Sequence, residues 1–166
     1  MLDPKPDVIA GALGACPLFA DFPSQSLLTL ASYFDVMEGQ RGDALFAQRD
    51  AGDGLYVVVE GRLQSYVSDD RGDEHAVATL VAPASFGELA LLLRGTRMVT
   101  VRALGDVTLL ELSHESFRRL KLRNPDLCLM VVMAIVRQLG FAMDNARDTL
   151  QRVLIEQARA RNGHGD

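Results

Sequence analysis

The stretch Ser85–Ala103, which reads SFGELALLLRGTRMVTVRA, determines what the sequence predicts for the whole chain. Its apolar segment Leu89–Leu93 is too short for a self-standing helix. Glu88 precedes this segment and follows a glycine, where the backbone can closely approach a bound group. Amides at the start of even one helical turn attract an anion, and Arg97 brings a fixed fork of donors suited to phosphate. A hydroxyl acceptor, free amides and a guanidinium together indicate a site for a sugar phosphate.

The order and spacing of these residues resemble the phosphate-binding cassette of cyclic-nucleotide-binding domains, found in bacterial catabolite activators, protein kinase A regulatory subunits and cyclic-nucleotide-gated channels. The family pattern is roughly FGE(L/I)ALL, a short turn and R(A/S/T)A(S/T)V. This chain has FGELALL from Phe86 and RMVTV from Arg97. The resemblance implies that Glu88 accepts the ribose 2′-hydroxyl and that Arg97 holds the cyclic phosphate. Amides near Leu89 and Ala90, and the one after Arg97, would complete the phosphate cradle.

Two positions depart from the family pattern. Met98 replaces a small residue or a hydroxyl, and Val99 replaces the usual alanine, so both can narrow the pocket. In the family, a Thr or Ser after the arginine can offer its hydroxyl to guanine; Met98 has no such group, so we expect cAMP to be preferred over cGMP. Ala78 and Leu80, on the strand that enters the cassette, are expected to pack with Met98 on the purine. The predicted ligand-binding residues are Phe86, Gly87, Glu88, Leu89, Ala90, Arg97, Met98, Val99, Ala78 and Leu80.

A structural role for the same charged residues is the alternative. Glu88 and Arg97 could form a surface ion pair across a hairpin, and such pairs are worth only about 0–1 kcal/mol. The match in order and spacing over the whole cassette favours a ligand site. Whether that site still binds a ligand is a separate question, which leaves two functional hypotheses open.

Bulk composition excludes several classes of protein. The chain has 166 residues, 48% of them hydrophobic, and a net charge of −5, which disfavours non-specific binding to nucleic acid. Cys16 and Cys128 lie far apart in apolar contexts and are predicted to be free thiols in a reducing cytosol. The N-terminal MLDPKPDVIA is not a signal peptide, and the apolar run Leu127–Val136 is too short to span a bilayer. A cytoplasmic protein without membrane contact is therefore expected.

The central part of the chain predicts many short strands separated by Gly-Asp turns. Leu55–Val59 and Arg62–Val67 are expected to form a hairpin around Glu60-Gly61, and Arg97–Ala103 is expected to be a strand. The predicted fold class is α+β, mainly β: an antiparallel jelly-roll barrel with N-terminal helices, a short cassette helix and a long C-terminal helix. The predicted parts are an N-terminal helical segment (1–33), the barrel (34–123), the long helix (124–161) and a frayed tail (162–166).

The C-terminal helix is predicted to begin at Asn124-Pro125-Asp126, with a cap, a first-turn proline and an acidic residue at the positive end of the dipole. Its apolar residues alternate steps of three and four, which is typical of an a/d seam that needs a partner helix. Catabolite activators dimerise through a helix in this position, so the resemblance implies a parallel homodimer. The seam residues are Val136, Leu139, Met143, Ala146, Leu150 and Val153.

The sequence contains no GxSxG, HExxH, P-loop or GxGxxG motif, so we expect neither an enzyme nor a cofactor or metal. It ends where catabolite activators carry a helix-turn-helix, which predicts no direct DNA binding. The first hypothesis is a cyclic-nucleotide sensor, most simply for cAMP and then cGMP, that signals through its C-terminal helix to an unidentified protein. The second is a dimeric interaction module whose pocket is vestigial or refitted to another ligand such as cyclic di-GMP.

Overall fold

The computed structural model describes residues 5–52, 54–93 and 95–162, with side chains as far as residue 157. Asp53, Arg94 and the part of the predicted tail from residue 163 lie outside the described residues. The chain divides into two compact units, Met1–Val131 and Val132–Asp166. The helices are α1 (Pro6–Ala15), α2 (Ser24–Ala31), α3 (Glu88–Leu93), α4 (His114–Arg123) and α5 (Pro125–Asn162), with a 3₁₀ turn at Pro17–Phe19. The strands are β1 (Asp35–Gly39), β2 (Ala44–Phe46), β3 (Gly54–Glu60), β4 (Arg62–Ser68), β5 (Glu74–Val81), β6 (Ala84–Phe86), β7 (Thr100–Ala103) and β8 (Val107–Ser113).

The strands form two four-stranded antiparallel sheets, in the orders β1-β8-β3-β6 and β2-β7-β4-β5. Every second side chain of a strand lies on the same face of its sheet. One face of each sheet contributes to a single apolar cluster. The buried members of this cluster are Tyr56, Val58, Leu63, Phe86, Val101, Ala103, Val107 and Leu109. The predicted jelly roll and the α+β fold class are confirmed.

The turn at Gly61 differs from the prediction. Gly61 has the expected positive φ of 89°, but β3 and β4 belong to different sheets and do not pair with each other. The two-residue turn is therefore a corner that takes the chain from one sheet to the other. A Cβ at Gly61 would collide with the carbonyl oxygen of Asp106 and with Val107, which enters β8 at this corner. The hydrophobic pattern did not distinguish a hairpin from a corner between sheets, because both place two apolar strands on either side of a short turn that contains glycine.

The predicted strand Arg97–Ala103 is also shorter in the structure, where β7 begins at Thr100. The preceding residues pair with the loop between β2 and β3 instead. The Arg97 amide donates to the carbonyl of Asp50, the Arg49 amide donates to the carbonyl of Arg97, and the Gly52 amide donates to the carbonyl of Gly95, each at 2.8 Å. These bonds fix the backbone at Arg97 from outside the sheets.

The helix start predicted at Asn124-Pro125 is present, and a capped helix precedes it. Ser113 precedes α4, and its hydroxyl accepts a hydrogen bond from the Ser116 amide at 3.2 Å, as an N-cap does. Asn124 precedes Pro125 at the start of α5, but its side-chain amide donates to the Tyr33 hydroxyl at 2.6 Å. Asn124 therefore also ties the start of α5 to the residues that follow α2.

Among the described residues, one helical segment, Pro125–Gln157, is long and apolar enough to cross a membrane by length and composition alone. An 18-residue window within it has a mean hydropathy of 1.7, and a core helix of a soluble protein can reach the same value. The uninterrupted apolar run Leu127–Val136 is only part of this helix, and Leu127, Cys128 and Val131 within it are buried. The prediction of a cytoplasmic protein is neither confirmed nor contradicted by this helix.

Candidate functional site

Gly87 and Glu88 occupy the junction between β6 and α3. β6 ends at Phe86, and α3 begins at Glu88. Gly87 lies between them with φ +86°, a conformation that favours glycine because it has no Cβ. The fully buried Leu91 anchors α3, and its amide donates to the carbonyl of Gly87 at 3.2 Å. The sharp turn therefore holds the Glu88 carboxylate at the first position of a short, anchored helix.

Arg97 lies inside the protein, with only 6% of the residue exposed. Its guanidinium carbon is 4.1 Å from the centre of the Phe46 ring and 5.3 Å from that of Tyr56. Nη1 donates to the carbonyl of Gly54 and Nη2 donates to the Tyr56 hydroxyl, both at the long distance of 3.4 Å. Such burial does not fit the alternative of a solvent-exposed ion pair. Aromatic faces and long hydrogen bonds hold the cation in place.

Two glycines allow Arg97 to occupy this position. A Cβ at Gly87 would lie 3.1 Å from Arg97 Nη1 and 2.5 Å from the carbonyl oxygen of Gly54. A Cβ at Gly52 would lie 3.3 Å from Arg97 Nε and 2.6 Å from the Cβ of Ala90. The sequence predicts that a bound group approaches the glycine before Glu88, whereas in the structure the guanidinium of Arg97 lies there. Gly87 is therefore next to Glu88 in the sequence and next to the Arg97 guanidinium in space.

Glu88 is half-buried, and its Oε1 accepts a hydrogen bond from the Ser85 hydroxyl at 2.8 Å. Cys16, which directly precedes the 3₁₀ turn, lies close to Ser85 and Glu88. Burial raises the pKa of the Cys16 thiol, a hydrogen bond with Ser85 opposes this rise, and the negative charge of Glu88 adds to it. Both cysteines are free and buried, as predicted. Ser85 thus orients the carboxylate that the sequence singled out.

The other predicted site residues lie in two kinds of surroundings. Phe86, Leu80 and Val99 belong to the barrel core or pack against it, and the Phe86 ring stacks on that of Tyr56 at 5.2 Å. Met98, Leu89 and Ala78 are exposed, Met98 to 78%. The backbone of Ala78 exchanges two hydrogen bonds with the Ser65 hydroxyl. Their roles toward a purine stay predictions.

Three side chains near Arg97 are not among the predicted site residues. They are Phe46, Tyr56 and Glu111, which belong to β2, β3 and β8. The Tyr56 hydroxyl donates to Glu111 Oε1 at 2.9 Å, and the two residues face each other across the β3–β8 pair. The available signal was that Glu111 is the only charged residue in the segment VTLLEL of β8. Among the described residues, no group of three or more His, Cys, Asp or Glu side chains is arranged to hold a metal ion.

Comparisons with known proteins match this architecture. The family model described as "Cyclic nucleotide-binding domain" matches residues 37–124. The cAMP-dependent protein kinase regulatory subunit of Dictyostelium discoideum is 34% identical over 96 residues, which are 56% of this chain and 29% of that protein. The Cyclic AMP receptor protein of Thermus thermophilus is 31% identical over 145 residues, covering 87% of this chain and 65% of the relative. The chain thus spans less than two thirds of each of these relatives.

A solved structure and an enzyme complete the comparison. The N-terminal domain of a transcriptional regulator from Streptomyces coelicolor superposes with a TM-score of 0.71 at 32% identity, covering 80% of this chain and 95% of that one. Lysophospholipase nte1 of Aspergillus terreus is 27% identical over 139 residues, which are only 9% of its length. A region of this kind therefore also occurs within a protein named as an enzyme. Since the family model covers more than half of the chain and includes the whole cassette, this protein belongs to the cyclic nucleotide-binding domain family.

Proposed function

We propose that this chain is a regulatory module that binds a cyclic nucleotide, with cAMP preferred, and that transmits the binding event through α5. The observation that carries the proposal is the burial of Arg97. In the interior of a barrel the attraction between a guanidinium and an anion is stronger than in bulk water, and the donor fork of arginine matches a phosphate. A cyclic phosphate would therefore make charge-assisted bonds to this fork.

Glu88 has the complementary role in this proposal. Its carboxylate begins α3 and already accepts one hydrogen bond from Ser85. A carboxylate has several acceptor positions, so it can also accept from a ribose hydroxyl. The amides near Leu89 and Ala90 take the roles that the family resemblance implies. The ligand would thus be held by an acceptor at the sugar and a donor fork at the phosphate.

Calorimetric titration of the wild-type chain with cAMP, cGMP and cyclic di-GMP tests this function. We expect heat of binding with cAMP and a weaker response with cGMP. Binding of cyclic di-GMP alone would favour a refitted pocket, and no heat with any of the three would favour a module that no longer uses its pocket. Either of these results would overturn the proposal.

Met98 is proposed to set the preference between the two purines. Met98 lacks the hydroxyl that a Thr at this position could offer to the exocyclic amine of guanine, and one hydrogen bond contributes about 0.5–1.5 kcal/mol. Met98→Thr is therefore expected to bind cGMP about 2- to 12-fold more tightly than wild type does, with little change for cAMP. Paired titrations of both proteins with both nucleotides measure this. Equal wild-type affinities, or no gain in the variant, would contradict it.

A parallel homodimer through α5 is the second part of the proposal. Of the predicted seam, Met143 is 73% exposed in the single chain, and Val136, Leu150 and Val153 are exposed as well. An apolar stripe of this length on an exposed helix is typical of a helix that packs on a partner. Two chains would cover each other's seams, with each residue facing its own copy.

Replacing Leu139 and Met143 together by Asp is expected to give monomers, because charges in the seam would lose their hydration without a partner. Light scattering at micromolar concentration measures the mass. Phe141→Asp with Ile155→Asp is the matched control, since both residues are exposed and apolar but lie off the seam; this variant should remain dimeric. A wild-type chain that is already monomeric would contradict the proposal.

The remaining predictions concern location and partners. We place the protein in the cytoplasm because both of its cysteines are free and buried. Direct DNA binding is not part of the proposal, since the net charge of the chain is −5. Recovery of the protein in a membrane fraction, or a salt-sensitive shift of duplex DNA, would contradict these two statements respectively.

A further inference from the structure

The guanidinium of Arg97 is the first member of a line of three polar groups. Nη2 of Arg97 lies 3.4 Å from the Tyr56 hydroxyl, which lies 2.9 Å from Glu111 Oε1. A tyrosine hydroxyl has one hydrogen, and a carboxylate can only accept it. The hydroxyl therefore donates to Glu111 and presents its lone pairs to Arg97. The order of donation is Arg97 to Tyr56 to Glu111.

The strand pairing fixes this line. Tyr56 and Glu111 are opposite each other in the antiparallel register of β3 and β8, two central strands of the same sheet. The Tyr56 ring is buried and stacks on Phe86 with an interplanar angle of 16°. The hydroxyl can therefore move little, and its position relative to Arg97 is set by the core of the barrel.

The orientation of the Arg97 guanidinium depends on the hydrogen-bond acceptors around it. Its closest aromatic neighbour, the Phe46 ring at 4.1 Å, attracts a cation but does not select the rotation of the fork about its axis. Directional contacts come from acceptors, and Tyr56 and the carbonyl of Gly54 are two of them. A phosphate bound by a fork requires the correct rotation, because the two donors must meet two oxygens.

We propose that Tyr56 and Glu111 are positioning residues that orient Arg97 for a phosphate, although neither touches the ligand. This inference rests on the proposed function in that the phosphate belongs to the cyclic nucleotide. Glu111 acts through Tyr56: its negative charge holds the hydroxyl hydrogen and polarises the oxygen that accepts from Arg97. The pair thus determines how well the cation meets the ligand.

Tyr56→Phe tests the inference with the smallest change, since it removes the hydroxyl and keeps the stacked ring. We expect the dissociation constant for cAMP to rise about 3- to 10-fold. Glu111→Gln, which keeps the shape and removes the charge, should give a smaller rise in the same direction. Tyr66→Phe is the matched control, because the Tyr66 ring lies 5.2 Å from a different arginine, Arg102. An unchanged affinity in Tyr56→Phe, or an equal loss in the control, would overturn the inference.

A double-mutant cycle separates positioning from a general loss of structure. If Tyr56 acts through Arg97, then Tyr56→Phe should have no further effect on cAMP affinity in an Arg97→Ala background. A merely structural role would weaken binding by the same factor in both backgrounds. Equal factors would therefore contradict the inference.

The same cycle can be measured without nucleotide. Urea unfolding midpoints of the wild type, the two single variants and the double variant report whether Tyr56 and Arg97 are coupled in the unliganded protein. We expect the two shifts in midpoint not to add, and additive shifts would overturn the inference. A wild type that binds no cyclic nucleotide would instead overturn the proposed function, while this coupling still decides whether the pair holds Arg97.

Discussion

Arg97→Ala is expected to weaken cAMP binding by about 10- to 100-fold while the chain stays folded. A hydrogen bond to a charged group contributes about 1.5–3 kcal/mol, and 1.4 kcal/mol corresponds to tenfold in affinity. Loss of the buried cation also leaves the negative cyclic phosphate without its principal partner. Calorimetry with cAMP gives the affinity, and circular dichroism shows whether the fold is retained.

Arg102→Ala is the matched control for the loss of one positive charge. Arg102 lies in β7, shortly after Arg97, but its guanidinium makes two hydrogen bonds to Glu74, at 2.6 and 2.9 Å. These bonds hold the pKa of the Glu74 carboxyl below its usual value. The pair is partly exposed, so its loss should leave cAMP affinity within about twofold of wild type. A similar loss in both variants would show that general charge, rather than Arg97 itself, sets the affinity.

Gly87→Ala is expected to damage both the fold and the site. The left-handed conformation alone costs a residue with a Cβ about 1–2 kcal/mol. At Gly87 the new methyl would also lie 2.5 Å from the Gly54 carbonyl oxygen and 3.1 Å from Arg97 Nη1. We expect the melting temperature to fall and cAMP binding to weaken at least as much as in Arg97→Ala, because the cation must move.

Gly72→Ala isolates the effect of the backbone. Gly72 has φ 87°, almost the same as Gly87, but no atom lies within 4 Å of the position of an added Cβ. Gly72→Ala should lose stability only because alanine is strained in the left-handed backbone conformation. The loss should be about 1–2 kcal/mol, or roughly 2–8 °C in melting temperature for a chain of this size. Its cAMP affinity should equal that of wild type. If the two variants lost equal stability and affinity, the close packing around Arg97 would be irrelevant.

Much of the fold could be predicted from the sequence because local signals agreed with the final structure. Gly-Asp turns separated short strands, Ser113 marked the start of α4 and Pro125 that of α5. The errors arose where pairing partners lie far apart along the chain. The Gly61 turn connects two sheets, and the residues before Thr100 pair with the β2–β3 loop. Neither partner can be identified from spacing within one segment.

In the candidate site, too, residues that are close in the sequence could be identified, whereas residues that only the fold brings together could not. Glu88 and Arg97 lie within one continuous stretch, so a family pattern could identify both of them. Phe46, Tyr56 and Glu111 come from three separate strands. Because the barrel brings these strands together, Phe46 and Tyr56 contact Arg97, and Glu111 contacts Tyr56. Phe46 and Tyr56 look like ordinary strand residues in the sequence, and only its charge distinguishes Glu111. The two residues proposed to contact the ligand could therefore be identified from the sequence, while the support of Arg97 needed the three-dimensional structure.

A crystal structure of this chain with cAMP tests the central claim most directly. We predict that a cyclic phosphate oxygen lies about 2.7–3.2 Å from the guanidinium of Arg97 and that a ribose hydroxyl donates to the Glu88 carboxylate. Nucleotide bound at another place, with the Arg97 guanidinium still stacked on Phe46 and not in contact with the ligand, would contradict the account.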